Sequence, residues 1–246
     1  MENNVKLQVT HLTKKFDDLL VLNDISFDVY DGEFLCIVGP TGCGKTTFLN
    51  SLTHLYEPTA GEILLNGEKI DLRKHNIAYI FQEYSAMEWL TVRQNVCFGL
   101  EIKRDYKDLD KKVDAALELV GLKDFADYYP KQLSASMLQR VVIARAFATQ
   151  PDLLLMDEPY GQLDISLRFR LEDEVIRLCK QTHTTVIFIT HNIEEAVYLG
   201  DRILVLTNKP TSIKEVIPDE MPHPRDIAAP EFIEMRNRIT DLIKWW

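Results

Sequence analysis

Gly39-Pro40-Thr41-Gly42-Cys43-Gly44-Lys45-Thr46-Thr47 is the stretch that most narrows what this chain can become. It fits the pattern G-x-x-x-x-G-K-S/T, with Gly39 and Gly44 at the fixed ends and Lys45-Thr46 closing it. Its flanks agree. Phe34-Leu35-Cys36-Ile37-Val38 is a short apolar run of buried-strand type, and Thr46 to Leu55 holds no Gly or Pro while Phe48, Leu49, Leu52 and Leu55 recur at helical spacing. Glycines admit close backbone approach to a phosphate, and the amide N–H groups and positive end of the following helix face the anion. In such a cradle, Lys45 reaches the outer phosphates of a nucleotide and the Thr46 hydroxyl coordinates magnesium.

Around this loop the chain alternates strands and helices. Alternation at Leu7/Val9 and at Ile25/Phe27/Val29, before an Asp31-Gly32 turn, predicts an antiparallel flank to the nucleotide strand. Glu62-Ile63-Leu64-Leu65 and a second short segment surround Asn66-Gly67 as a hairpin, and Ile77 to Phe81 gives a further apolar strand that ends at Gln82. From about Met87 the texture is helical: Leu109, Val113, Ala116-Leu117 and Val120 are closed by Gly121, and Ser134 is placed to N-cap a helix through Val141, Val142 and Ala148. A helical subdomain inserted at about 87–150 is the expectation.

Leu153 to Met156 form a buried strand tipped by Asp157 and followed by Glu158-Pro159, and a helix is expected from about Asp164 to Lys180. Thr185 to Thr190 ends at His191, with Asn192 and Glu195 resembling a capping box, and Ile203 to Leu206 is another strand. This alternation predicts an α/β fold with a mainly parallel core sheet, covered on both faces, whose ligands bind beyond the carboxyl ends of strands, where Gly39, Asp157 and His191 fall. The last segment, which opens with Pro218, Pro222, Pro224 and Pro230 and continues into a terminal helix with Phe232, Met235, Ile239, Leu242 and Ile243 on one side, is expected as an appendage outside the sheet. That stripe, with Trp245-Trp246, either packs back on the domain or meets lipid or a partner. The domain reading is therefore 1–225, with 226–246 as a C-terminal helical extension.

Composition excludes some partners. A formal net charge of −10 argues against a broad nucleic-acid surface. No apolar run approaches bilayer length and Met1-Glu2-Asn3-Asn4 lacks a secretory pattern, so a cytosolic protein is expected. Cys36, Cys43, Cys97 and Cys179 form neither a C-x-x-C pair nor a metal cluster and read as reduced thiols.

The ordered set of phosphate loop, Gln82 at a strand end, Leu133-Ser134 with Gln139-Arg140, Asp157-Glu158-Pro159, Leu163-Asp164 and His191 resembles the nucleotide-binding subunit of ATP-binding cassette (ABC) transporters over roughly residues 6–208. The resemblance implies a P-loop NTPase fold and an ATPase with ATP and Mg2+ as its ligands. ATP would be held by Phe16, stacked on adenine, and by Gly39, Pro40, Thr41, Gly42, Cys43, Gly44, Lys45, Thr46 and Thr47. Thr46, Gln82 and Asp157 would serve the metal, Asp157 holding its hydration shell. Glu158 would be the general base for the attacking water, and Gln82, His191 and Lys45 would complete the catalytic set. Asp164 would lie in a D-loop that crosses to a second subunit. Phe16 also admits a reading as a simple core residue.

The same resemblance implies a head-to-tail dimer, identical or mixed, on the cytoplasmic face of the inner membrane, peripherally attached to integral permease subunits and served indirectly by a solute-binding protein. Ile80-Phe81-Gln82-Glu83-Tyr84, Glu158-Pro159-Tyr160-Gly161 and the run from Ile217-Pro218 to Pro224-Arg225-Asp226 look most like the importers of nitrate, sulfonate, taurine or bicarbonate. Ser85 to Leu90 is the candidate surface for the permease, although Met87, Trp89 and Leu90 could equally be core.

One departure stands out. The family's Leu-Ser-Gly-Gly-Gln signature, used in trans against the partner's γ-phosphate, is here Leu133-Ser134-Ala135-Ser136-Met137. Two added Cβ atoms would obstruct backbone approach or forbid a positive φ, so weakened closure and hydrolysis are expected, with a nucleotide-dependent regulatory or non-transport ABC ATPase as the alternative function.

Overall fold

The computed structural model describes residues 4–83, 85–161 and 165–243. Its first elements are β1 (Val5–Phe16), β2 (Leu19–Tyr30), β3 (Phe34–Val38), α1 (Lys45–Leu52), β4 (Ala60–Leu65), β5 (Glu68–Lys69) and β6 (Ile77–Ile80). The middle of the chain gives α2 (Val92–Ile102), α3 (Leu109–Leu119), α4 (Ala135–Ala148), β7 (Leu153–Asp157) and α5 (Ile165–Thr182). It ends with β8 (Val186–Thr190), α6 (Ile193–Leu199), β9 (Arg202–Leu206), β10 (Ile213–Pro218) and α7 (Pro230–Ile243). Two compact units result: Asn76–Thr184 forms one, and the chain up to His75 and from Thr185 forms the other.

In the unit built from the two chain ends, β3 lies between β8 and β9 and is parallel to both. Every residue of β3 and β8 is buried, which is why these strands read as unbroken apolar runs rather than alternating ones. The antiparallel flank is a second sheet in the order β2-β1-β4-β5. Leu7, Val9, Leu12, Ile25 and Val29 bury the inward faces of its first two strands. Asn66 and Gly67, at φ 54 and 78, make the turn between β4 and β5, a left-handed pair that Asn-Gly tolerates.

The segment after Leu206 departs from expectation. Pro218, read as the start of an appendage, is instead the last residue of β10, which pairs antiparallel with β9 through Pro218↔Arg202. Proline is tolerated there because an edge strand needs no donor on its open side. The terminal helix α7 does pack back within this unit, against α6 and β9, with Phe232 and Ile239 fully buried. Trp245 and Trp246 lie outside the described residues.

In the Asn76–Thr184 unit, β6 and β7 pair in parallel, Ile77↔Leu153 to Ile80↔Met156. The helical run α2–α4 lies within it, α2 and α3 packing on α4. Thr91 and Gln94 form a reciprocal capping box at the start of α2. At the end of α3, Gly121 at φ 66 allows the amide of Leu122 to reach the carbonyl of Leu117 and its own amide that of Glu118, a Schellman closure. The helix expected from about Asp164 is α5; Asp164 and Leu163 fall outside the described residues.

Candidate functional site

Gly39 leaves the carboxyl end of β3 and His191 the carboxyl end of β8, and the last residues of these strands are register partners, Val38↔Thr190. Adjacent strands run roughly 4.8 Å apart, so the phosphate loop and His191 emerge side by side. The loop is tightly held. A Cβ at Gly39 would lie 2.9 Å from Leu206 Cβ and 3.1 Å from Cys43 Sγ. Gly44, at φ 111, is the N-cap of α1, and a Cβ there would press within 2.9 Å of Val21 Cγ1. Gly42, at φ 77, has nothing within 4 Å of its missing Cβ, so the middle of the loop stays open to a ligand.

Lys45 is only 6% exposed, and its ammonium donates to the carbonyls of Gly39 (3.0 Å) and Pro40 (3.2 Å). Two of its three N–H donors are thereby used to close the loop on itself. An ammonium so enclosed favours an anion at the loop mouth. Thr46 is exposed in the first turn of α1, with Thr47 half-buried behind it. Burial raises the Cys43 thiol above its ordinary pKa against the opposing pull of Lys45, so this loop cysteine stays protonated and unreactive at neutral pH. The carbonyl of Cys43 accepts from the Thr211 hydroxyl, which anchors the loop from beneath.

His191 is exposed, and its neighbours are fixed by a residue that the sequence reading assigned to another role. Asn192 caps α6, its side chain accepting from the Glu194 amide at 3.0 Å. A reciprocal box would have Glu195 accept from the Asn192 amide, but that amide donates to Thr190 Oγ1 instead (3.0 Å). The Thr190 hydroxyl then donates to the buried Glu195 carboxylate at 2.5 Å. Short charge-assisted bonds of this kind hold a turn more firmly than a neutral cap.

Phe16, the last residue of β1, is 38% exposed. It is therefore not a core residue, and one of its two sequence readings falls away.

In the other unit, Asp157 ends β7 with its carboxylate accepting from the Tyr79 hydroxyl (3.3 Å). Tyr79 stacks on Phe81, ring centroids 4.3 Å apart, and its pKa is pushed up by burial and then by Asp157, so it remains a donor. Glu158, immediately after the strand, has φ 46. A left-handed carboxylate residue is strained by about 1–3 kcal/mol. The turn carries its half-buried side chain to Gln82, whose amide donates to Glu158 Oε2 at 3.4 Å. Thus Gln82 and Glu158, distant in sequence, meet, while Tyr79 is a partner of the site that no motif announced.

Ser134 caps α4, its Oγ accepting from the Met137 amide at 3.3 Å. Ala135 and Ser136 form the first turn of α4 and have no positive φ. The expected conflict over a positive φ is therefore absent, because a helical first turn suits any L residue; the added bulk at Ala135 and Ser136, the Ser136 hydroxyl and Met137 in place of Gln distinguish this signature. Ala135 is exposed and Ser136 and Met137 are half-buried.

The segment following Gln82 is also resolved into roles. Buried Asn95 accepts from the Met87 amide (2.8 Å) and donates to the carbonyls of Met87 and Leu90 (3.1 Å each). Arg145 holds Ser85 by its carbonyl (2.8 Å) and hydroxyl (2.6 Å). Met87 and Leu90 are half-buried in this frame, whereas Trp89 is 76% exposed.

The phosphate loop fits a magnesium nucleotide. It offers backbone amides, an enclosed ammonium and an open glycine to phosphates and the Thr46 hydroxyl to a metal that accompanies them; in the other unit Asp157 offers a carboxylate at a strand tip. Among the described residues no three His, Cys, Asp or Glu side chains converge as a protein-only metal cage. Oxygen donors of this kind, a hydroxyl or a carboxylate used together with substrate phosphates, are those that magnesium takes.

Comparison with known proteins gives the family of the chain. The family model described as ABC transporter matches residues 22–161. An uncharacterized ABC transporter ATP-binding protein of Methanocaldococcus jannaschii is 42% identical over 98% of this chain and 92% of its own length. The aliphatic sulfonates import ATP-binding protein SsuB of Bacillus cereus is 38% identical over 93% of this chain and 90% of its own. Among solved structures, a dimeric bacterial ABC transporter cassette aligns with a TM-score of 0.75 at 29% identity, covering 88% of this chain and all of that one. The fold of cbiO1 from Clostridium perfringens, part of the ABC transporter complex cbiONQ, matches with a TM-score of 0.81 over 97% of both chains.

Proposed function

This chain belongs to the ABC transporter ATP-binding family and is an ATPase, and from that premise we propose that it powers a small-solute importer as one half of a head-to-tail dimer. The side-by-side exit of Gly39 and His191 from paired strands carries the reading, since it aims a phosphate cradle and an imidazole at one edge of the sheet. Lys45 holds the outer phosphates, Gly39 to Thr47 wrap them with amides, and Phe16 supports the adenine. Thr46, Gln82 and Asp157 would hold magnesium, which would supply positive charge against the charge that develops on the phosphates.

Glu158 takes a proton from the water that attacks the γ-phosphorus, the bond from that phosphorus to the β–γ bridging oxygen breaks and ADP leaves with that oxygen, and Gln82, within reach of the Glu158 carboxylate, orients the water. His191 contacts the γ-phosphate. The partner subunit supplies Ser134, Ala135, Ser136 and Met137 at a helix start; Asp164, which lies outside the described residues, is assigned the crossing role. ATP favours the closed dimer, and its hydrolysis releases it; that difference in affinity is what can move a membrane partner between states.

We assign 1–225 to the ATPase domain, with the helical subdomain at about 87–150, and 226–246 to an extension. The chain would sit peripherally on the cytoplasmic face of the inner membrane, Trp89 against a permease subunit, with a solute-binding protein acting from the other side. No helix among the described residues is long and apolar enough to cross a membrane itself. The solute proposed is a small anion, a sulfonate foremost, following the likeness to the sulfonate import protein.

Glu158→Gln tests the mechanism. ATP turnover by the purified chain is expected to fall by about 100-fold or more, with ATP affinity retained, as for loss of a general base. Turnover at the wild-type rate would remove Glu158 from that role.

A further inference from the structure

We propose that Lys14 and Tyr56 are positioning residues that fix Phe16 as the platform for the nucleotide base, and so set the affinity for that half of ATP. This deepens the reading of Phe16 given above and rests on it. Phe16 ends β1, and Asp17 after it turns at φ 50. At 38% exposure its ring has too little burial to be held by packing alone. An exposed aromatic that must first be ordered loses rotamer entropy when a base stacks on it.

Two contacts supply the order. The Tyr56 ring stands crosswise to Phe16, centroids 5.2 Å apart and planes at 89°. The Lys14 ammonium sits 4.8 Å from the Phe16 centroid and 5.9 Å from that of Tyr56. Edge-to-face rings and a cation over a ring are each attractive through the ring quadrupole. Lys14 is in turn fixed, because its ammonium donates to the Glu57 carbonyl at 2.7 Å.

The frame around them is continuous. The Tyr56 amide donates to Asn50 O in α1 at 3.0 Å. The Thr59 amide donates to Thr13 O at 2.8 Å, and the Lys15 amide to Thr59 Oγ1 at 2.9 Å. Residues 53–59 are thus clasped to β1 on both sides of Lys14, and they follow directly from the helix that begins with Lys45 and Thr46. The base platform and the phosphate loop belong to one hydrogen-bonded piece of chain. Nothing in the spacing announces this, since Tyr56 sits forty positions beyond Phe16.

Binding of ATP and of inorganic tripolyphosphate to the purified full chain separates the two halves of the site. Tyr56→Ala and Lys14→Met are each expected to weaken ATP about three- to tenfold, with tripolyphosphate affinity unchanged. Tyr56→Phe keeps the ring and is expected to bind ATP like wild type. The double variant Lys14→Met/Tyr56→Ala should lose less than the product of the single losses, because both act through Phe16. If Phe16→Ala weakens ATP while Tyr56→Ala and Lys14→Met do not, the platform stands and the positioning role is overturned. Unchanged ATP affinity in Phe16→Ala overturns the platform and this proposal with it. Parallel loss of ATP and tripolyphosphate in Tyr56→Ala or Lys14→Met also overturns the positioning role, since it places the effect on the phosphate loop.

Discussion

Asp157 and Glu158 are neighbours in sequence with opposite backbone habits, and that difference gives each carboxylate its own partner. Asp157 keeps strand geometry and accepts from Tyr79; Glu158 turns to φ 46 and meets Gln82. The acidic pair was legible because two carboxylates at a strand tip are a chemical signal. Tyr79 was not, since a tyrosine in an apolar strand reads as core until a register brings it beside a carboxylate. The signature is the reverse case. Its missing glycines are plain in the sequence, and of the two reasons expected for their effect the forbidden φ falls away, because Ala135 and Ser136 sit without strain in a helical turn, while obstructed approach stays. Added bulk at these two positions remains to impede a partner's phosphate. Ala135→Gly/Ser136→Gly is therefore expected to raise the steady-state ATPase rate of the dimer severalfold, on the order of 1 kcal/mol in the barrier. An unchanged rate would mean that the two Cβ atoms do not limit closure.

Elements show where local chemistry sufficed. The helix after the phosphate loop, the Asn66-Gly67 turn and the end of α3 at Gly121 follow from short-range rules, each fixed by a few adjacent residues. The start of α2 belongs with them: Thr91 and Gln94 satisfy two amides reciprocally. Thr91→Ala is expected to lower stability by about 1 kcal/mol in equilibrium denaturant unfolding, with ATP affinity unchanged. No loss would show that other contacts hold this helix start. At α6 the local rule gave half of the answer. Asn192 caps as expected, but Glu195 is drawn away by the Thr190 hydroxyl, a competitor belonging to the preceding strand. β10 was missed for a related reason. An edge strand is defined by the neighbour it pairs with, and Pro218 looked like an ending when it was only the last rung.

For the whole molecule, the consequence to test is coupling. Trp89 is 76% exposed, and the segment on either side of it is held by hydrogen bonds between Asn95 and Met87 and Leu90 and between Arg145 and Ser85. In the intact membrane complex, Trp89→Glu is expected to abolish most solute uptake while ATP binding by the isolated chain stays at the wild-type level. Unchanged assembly and uptake would remove Trp89 from the contact. The chain's last segment depends on long-range contacts of another kind. Arg225 is buried, paired with Asp219 at 3.2 Å, and donates to the carbonyls of Val197 (2.6 Å) and Gly200 (2.8 Å) at the end of α6. It thereby ties a proline-rich loop to the helix that follows His191. By itself the sequence determined the phosphate loop, the strand–helix alternation and the ordered motifs of an ABC ATPase, because backbone conformation and phosphate chemistry are specified by residues close together in the chain. Tertiary structure alone decided which side chains serve those motifs: Tyr79 on Asp157, Thr190 on Glu195, Tyr56 and Lys14 on Phe16. Each of these depends on strand register or loop closure, which bring together residues whose spacing in the chain carries no signal of their contact.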